Sequence, residues 1–163
     1  MSYRGDLLVR LYDLPDFPAE AKVAAAGITI RRALPPERHV ILDWIERHFY
    51  KPWVSEAALA MSQQPPTLWV AIRGGELLGF ACADASARGF FGPTGVAETA
   101  RGQGIGEALL ITTLRGMREM GYAYAVIGAV GPVEFYQKRL DAMPIPNSHP
   151  GIYRGMLRAP GKA

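Results

Sequence analysis

Gly95-Val96-Ala97-Glu98-Thr99-Ala100-Arg101-Gly102-Gln103-Gly104-Ile105-Gly106-Glu107-Ala108-Leu109-Leu110 carries the chain out of one apolar stretch and into a helical period. Upstream, Phe90 to Ala97 has the composition of a strand, interrupted at Gly92-Pro93. Proline cannot donate to a ladder, so a bulge or kink is expected there. Downstream, Ile105, Leu109, Leu110, Thr113, Leu114, Met117 and Met120 share one broad side of a helix from Gly104 to Met120. Glu107, Arg115, Arg118 and Glu119 take the other side, and Gly121 follows as the terminating glycine. In the turn between them, Gly102, Gly104 and Gly106 allow close approach to the backbone. The first N–H groups of the helix have no intrahelical acceptors. With the helix dipole and Arg101 alongside, the turn has the make-up of a phosphate site.

Two common nucleotide motifs do not account for it. A dinucleotide fingerprint needs G-x-G-x-x-G near the start of a βαβ unit. Here G-x-G-x-G follows a hairpin, and no acidic residue closes the next strand. The P-loop ending G-K-[S/T] is absent.

Working outward, Leu68–Arg73, Gly74-Gly75 and Glu76–Ala83 spell a hairpin with a two-glycine turn. Before it, Leu7–Tyr12 and Ile28–Arg32 have strand character, and a short helix is expected over Pro18–Ala26. Pro35-Pro36 opens a further helix with Val40, Ile41, Trp44, Ile45 and His48 on one face. Ser55 is the expected N-cap of another helix, which Pro65-Pro66 closes. Beyond the long helix, Tyr122–Val130 is nearly all apolar, as in a strand buried on both faces. Pro132–Leu140 follows as a helix, and Ala142–Pro146 and Ile152–Leu157 are expected as final strands. The expected fold is α/β: a mixed, mostly antiparallel central sheet of about seven strands flanked by helices, with an extra N-terminal strand.

Length and composition set the outer bounds. At 163 residues with 49% hydrophobic and 20% charged residues, the chain fits one domain with a real core rather than a disordered one. No run approaches the roughly 20 apolar residues of a membrane span, and the first residues show no secretory signal. A cytoplasmic protein is expected, with no membrane partner. Cys82 is the one cysteine, which excludes a disulfide framework, and no His/Asp/Glu spacing suggests a metal. In its apolar strand Cys82 is expected to be inert. The net charge is +3, and the 14 arginines are scattered as singles apart from Arg31-Arg32. That argues against nucleic acid and suits an anionic small molecule.

Val96, Arg101, Gly104 and Gly106 form an R-x-x-G-x-G motif preceded five residues earlier by a strand valine. This resembles the acyl-CoA-binding motif of the GNAT acetyltransferase superfamily. About 30 residues on, Glu134-Phe135-Tyr136-Gln137-Lys138 resembles the family's F-Y-x-K stretch. The order of elements agrees over 28–157, with 1–27 as an N-terminal extension of a single domain spanning 1–163. The resemblance implies acetyl-CoA as cofactor and acetyl transfer to a primary amine of a small molecule or peptide.

It also implies roles for particular residues. Backbone N–H groups through Gly102, Gln103, Gly104, Ile105 and Gly106 would hold the coenzyme A pyrophosphate beside Arg101. The Val96 main chain would pair with the pantetheine arm. The Thr94 N–H would face the thioester carbonyl, and Tyr136 would protonate the departing thiolate, since a phenol and a thiol are close enough in pKa to exchange a proton.

Three positions depart from the family pattern. Phe90 stands where some members carry a glutamate base, Ala129 where many carry asparagine, and Glu98 where a proline is usual. Asp84, Glu98, His149 or water are therefore the candidate bases. A non-catalytic acyl-CoA-binding module is the alternative that the missing base suggests. Trp44 and His48 are expected in the core, and Tyr50 and Trp53 at the acceptor pocket. An unprotected apolar strand at Leu7–Tyr12 invites association, so it is expected either to close the sheet's own edge or to cross to a second subunit, with a homodimer the favoured outcome.

Overall fold

A computed structural model describes residues 3–128 and 131–161. The elements are β1 (Leu7–Arg10), α1 (Ala19–Ala25), β2 (Thr29–Arg32), α2 (Arg38–His48), α3 (Lys51–Met61), β3 (Leu68–Arg73) and β4 (Glu76–Ala83). There follow β5 (Phe90–Val96), α4 (Ile105–Glu119), β6 (Tyr124–Ile127), α5 (Val133–Leu140) and β7 (Met143–Pro144). The strands form one seven-stranded sheet in the order β2-β3-β4-β5-β6-β1-β7. Every pairing is antiparallel except β5 with β6. The expected α/β class, strand number and mixed sheet are all present.

Side-chain alternation along β4 assigns the two faces. Phe80 points to α2 and α3, with its ring 6.2, 6.0 and 6.1 Å from those of Trp44, Phe49 and Trp53. Gly79 points the other way, where a Cβ would lie 3.1 Å from Leu109 and 3.3 Å from Ile105 of α4. Trp69, paired with Ala81, lies on that same side against Gly116 of α4. Helices α1 and α4 therefore cover one face, and α2 and α3 the other. Ile105, Leu109, Ile111, Leu114 and Met117 are fully buried on the first side, with Ile45 and Phe80 on the second.

Several expectations are corrected. Helix α3 starts at Lys51, because Tyr50 is extended and Pro52 sits in the first turn, so Ser55 lies inside the helix and caps nothing. On α2, Ile41, Trp44 and Ile45 are buried, but Val40 is exposed and His48 stacks on Trp44 from the solvent side. Met120 lies outside the core, beyond the last turn of α4. Strand β6 is short and alternates, with Ala125 and Ile127 buried and Tyr124 exposed. The remainder of that expected strand, at 129–130, lies outside the described residues. In the tail, β7 has two residues, and Ile152–Leu157 forms no strand, its first two residues belonging to a 3-10 turn at Gly151–Tyr153. Pro144, Pro146 and Pro150 remove the donors that longer ladders would need.

Strand β1 ends at Arg10 and turns into a 3-10 segment at Leu11–Asp13. It lies between β6 and β7 and pairs with both. Of the two outcomes expected for this strand, it takes the one inside its own sheet. The sheet's outer strands are β2 and β7.

Candidate active site

The ladder between β4 and β5 loses register where Gly92-Pro93 falls. Ala83 pairs with Phe91 and Ala81 with Thr94, so two residues of β5 stand opposite Cys82 alone. This is the expected bulge. Past it, the ladder resumes, and the Ala97 N–H donates to Leu78 O at 2.9 Å. Alternation then turns the N–H groups of Thr94 and Val96 away from β4. On that side β6 pairs with β5 at Phe90 and Phe91 and no further. The two parallel strands diverge, and the main chain of Thr94 to Val96 is left facing a gap.

That gap is a cavity of about 500 Å³ whose walls include Thr94, Gly95, Val96, Arg101, Gly102, Gly104, Ile105, Gly106 and Tyr136. Eight of the nine residues singled out from the sequence thus meet on one cleft. The ninth, Gln103, turns aside: its amide donates to Ala100 O at 3.1 Å, and its carbonyl accepts from Arg73 at 3.3 Å. Gly104 has a φ of +85°, which glycine adopts without strain, and it caps α4 with no side chain. The first helical bond is Ala108 N–H to Gly104 O, at 3.0 Å. The N–H groups ahead of it are the ones a helix start presents to an anion. Arg101 is exposed, with its Nε 3.4 Å from Val96 O. From α1, Lys22 reaches Gly102 O at 3.3 Å, a cation at the turn that the sequence reading did not single out.

A second cavity of about 330 Å³ lies against the first. Phe91, Thr94, Pro132 and Tyr136 line both. Tyr136, on α5, packs edge-on to Phe135 with ring centres 5.2 Å apart. Burial pushes its phenol pKa up, which keeps the proton on oxygen at neutral pH. Trp53 and Glu56 of α3, Ser86 and Tyr153 line the second cavity and not the first. The Ser86 hydroxyl donates to the Glu56 carboxylate.

None of the candidate bases lines either cavity. Asp84 accepts from Tyr122 OH and from Gly89 N–H, both at 2.8 Å, behind the β4–β5 connection. Glu98 and His149 are exposed elsewhere. Tyr50 points to solvent, whereas Trp53 reaches the cavity as expected. Cys82 is fully buried, and burial raises its thiol pKa well above the ordinary value, in keeping with an inert core residue. Ala129 lies outside the described residues. Glu56, Ser86 and Tyr153 were not picked out as site residues. With α3 started at Lys51 by Pro52, Trp53 and Glu56 fall three apart on one face, which is the signal that would have found Glu56.

The family model for the GNAT acetyltransferases matches residues 36–141. The chain belongs to the acetyltransferase (GNAT) family. Membership supports acyl transfer from coenzyme A as the general chemistry, with acetyl-CoA or coenzyme A as cosubstrate. Solved structures agree in fold. The chain is similar to a GCN5-related glucosamine N-acetyltransferase region of a fungal multi-domain GH3 beta-N-acetylglucosaminidase, at 17% identity and TM-score 0.72, over 87% of this chain and 20% of that one. It is similar to a GCN5-related N-acetyltransferase from Sphaerobacter thermophilus, at 19% identity and TM-score 0.64, over 86% of this chain and 48% of that one. A third, from Kribbella flavida, has 20% identity and TM-score 0.57, over 88% of this chain and 55% of the other. The chain thus spans from a fifth to about half of the length of these structures. No curated protein gives a match. Among the described residues no helix is long and apolar enough to cross a membrane.

The GNAT cleft fits the cosubstrate on its own features. It joins an uncapped helix start with cations beside it to a mostly apolar slot along a free strand edge.

Proposed function

We propose that this protein transfers an acetyl group from acetyl-CoA to a primary amine of a small molecule or peptide. The observation that carries the reading is the wall shared by two cavities. Tyr136 and Thr94 stand where a site for the cosubstrate meets a separate site large enough for an acceptor. When bound, acetyl-CoA supplies an acetyl group activated as a thioester.

The protein's own groups would act as follows. N–H groups from Gly102 through Gly106 hold the pyrophosphate, with Arg101 and Lys22 adding positive charge. The free edge at Val96 bonds the pantetheine arm as an added strand would. The Thr94 N–H receives the charge that builds on the carbonyl oxygen, a role worth about 3 kcal/mol where single donors have been removed from other enzymes. The acceptor's ammonium first gives one proton to water, the freed lone pair would form the C–N bond, and the sulfur would leave with the C–S electron pair. Tyr136 gives its proton to that sulfur, and the proton shed by nitrogen restores the phenol.

Release of free coenzyme A from acetyl-CoA, followed across a panel of primary amines, tests the reading. Amine-dependent release supports it. Tight coenzyme A binding with no release for any amine favours the non-catalytic acyl-CoA-binding module instead, which the phenylalanine at position 90 also suits.

A further inference from the structure

The second cavity has a chemical character of its own. Its aromatic walls are Trp53, Phe91 and Tyr153, and Glu56 is the one charged side chain among the described residues that line it. Among the described residues no lysine or arginine lines it. A half-buried carboxylate among aromatic side chains attracts a cation and disfavours an anion. Aromatic faces add to the attraction, because their negative quadrupole favours positive charge.

The carboxylate is also held in place. Ser86, between β4 and β5, donates its hydroxyl to Glu56. Glu56 keeps its remaining acceptor capacity for a ligand, since a carboxylate can accept about four hydrogen bonds. Thr94 and Tyr136, the groups nearest the proposed chemistry, line the same cavity. A ligand bound to Glu56 therefore lies in the same enclosure as the groups that would act on the thioester.

We infer that this cavity is the acceptor subsite, that Glu56 binds the acceptor's ammonium group, and that the acceptor is a compact monoamine bearing an apolar or aromatic group. The substrate class follows from the numbers of each kind of group. One carboxylate balances one ammonium, whereas a polyamine would bring further charges into a cavity whose described lining offers no second carboxylate to balance them. The volume of about 330 Å³ also suits a small molecule. The inference rests on the acetyltransferase reading for the acceptor's role, but the binding it describes can be measured without turnover.

The test is a calorimetric titration of 2-phenylethylamine into the full chain saturated with coenzyme A, beside the anion 3-phenylpropionate and the polyamine spermidine. The amine is expected to bind, the anion to give no heat, and spermidine to bind no more tightly than the monoamine. Glu56→Gln is expected to weaken the amine at least tenfold while coenzyme A affinity and Tm stay at wild-type values. Should Glu56→Gln not fold, Ser86→Ala, which frees the carboxylate to rotate, is expected to weaken the amine severalfold. Equal binding of the anion, tighter binding of spermidine, no binding of the amine, or an affinity indifferent to both substitutions overturns the inference. Coenzyme A release with the same amine is followed in parallel. Glu56-dependent binding without release sinks the acetyltransferase reading and leaves the subsite standing. Release that Glu56→Gln does not alter sinks the subsite and leaves the reading.

Discussion

Tyr136 concentrates the proposed chemistry in a single hydroxyl. Tyr136→Phe keeps the ring against Phe135 and removes only the proton donor. As general acid it is expected to account for a loss of about 10²–10⁴ in kcat, with acetyl-CoA affinity unchanged, because the proton is needed only as the C–S bond breaks. Retention of more than about a third of kcat, with chemistry shown to limit the rate, would pass the acid role to water. Gly106 gives the cleanest probe of the phosphate turn. Gly104 would combine strain at φ +85° with a Cβ 3.2 Å from that of Ala19, so its variants would mix folding with binding. At Gly106 a Cβ would meet Val96 at an ordinary 3.8 Å. An aspartate there stabilises the helix start through the dipole but repels a phosphate. Gly106→Asp is thus expected to hold or raise Tm while coenzyme A affinity falls at least tenfold, about 1.4 kcal/mol. Unchanged affinity by calorimetry would remove the pyrophosphate assignment.

Helix α4 is positioned by close approach at Gly116, where a Cβ would lie 2.3 Å from the Trp69 ring. Alanine is the better helix former by about 1 kcal/mol, yet Trp69 is buried on β3 and stacks beneath Arg32 at 4.3 Å. The overpacking cost of about 1–3 kcal/mol should therefore win, and Gly116→Ala is expected to lower the denaturation midpoint. A stabilised variant would show that Trp69 can swing aside. The elements that were legible in the sequence share this reliance on local chemistry. The hairpin β3–β4 is bounded as expected because Gly74 and Gly75 both supply positive φ, and the β5 bulge because Pro93 cannot donate. Apart from the Ser55 cap, which Pro52 displaces locally, the errors fall where partners distant in sequence decide. Tyr124 is exposed because its ring packs edge-on, at 5.6 Å, against Tyr12, itself exposed beyond the end of β1, rather than into the core. The tail stays irregular because β1 offers it just two paired positions. The cosubstrate side of the cleft was legible because one contiguous turn builds it. Glu56, Ser86 and Tyr153 come from three separate segments, and no local pattern joins them.

At the scale of the molecule, β1 decides whether the N-terminal segment is an accessory or a structural member. Leu7, Val9 and Leu11 are all fully buried, in the same core cluster as β4 and α4. Burying such side chains contributes about 1.5–3 kcal/mol each, so the three together approach the roughly 5–15 kcal/mol of a whole domain. The strand also carries the ladder from Leu7–Ile127 to Arg10–Tyr124 that holds β6, and Ile127 of β6 lines the second cavity. Removing β1 would strip β6 of one neighbour and leave β5, paired at two positions, as its other support. The slot between β5 and β6 depends on β6 being held away from β5 beyond Phe91, and β1 is the strand that holds it. Deletion of residues 1–13 is therefore expected to abolish cooperative unfolding and coenzyme A binding together. The milder Leu7→Ala should cost about 2–5 kcal/mol and leave a folded, binding-competent protein in cold buffer. A truncated chain that melts in a sharp transition near the full-length midpoint and still binds coenzyme A would show that the sheet from β2 to β6 stands alone, with β1 laid on as an addition.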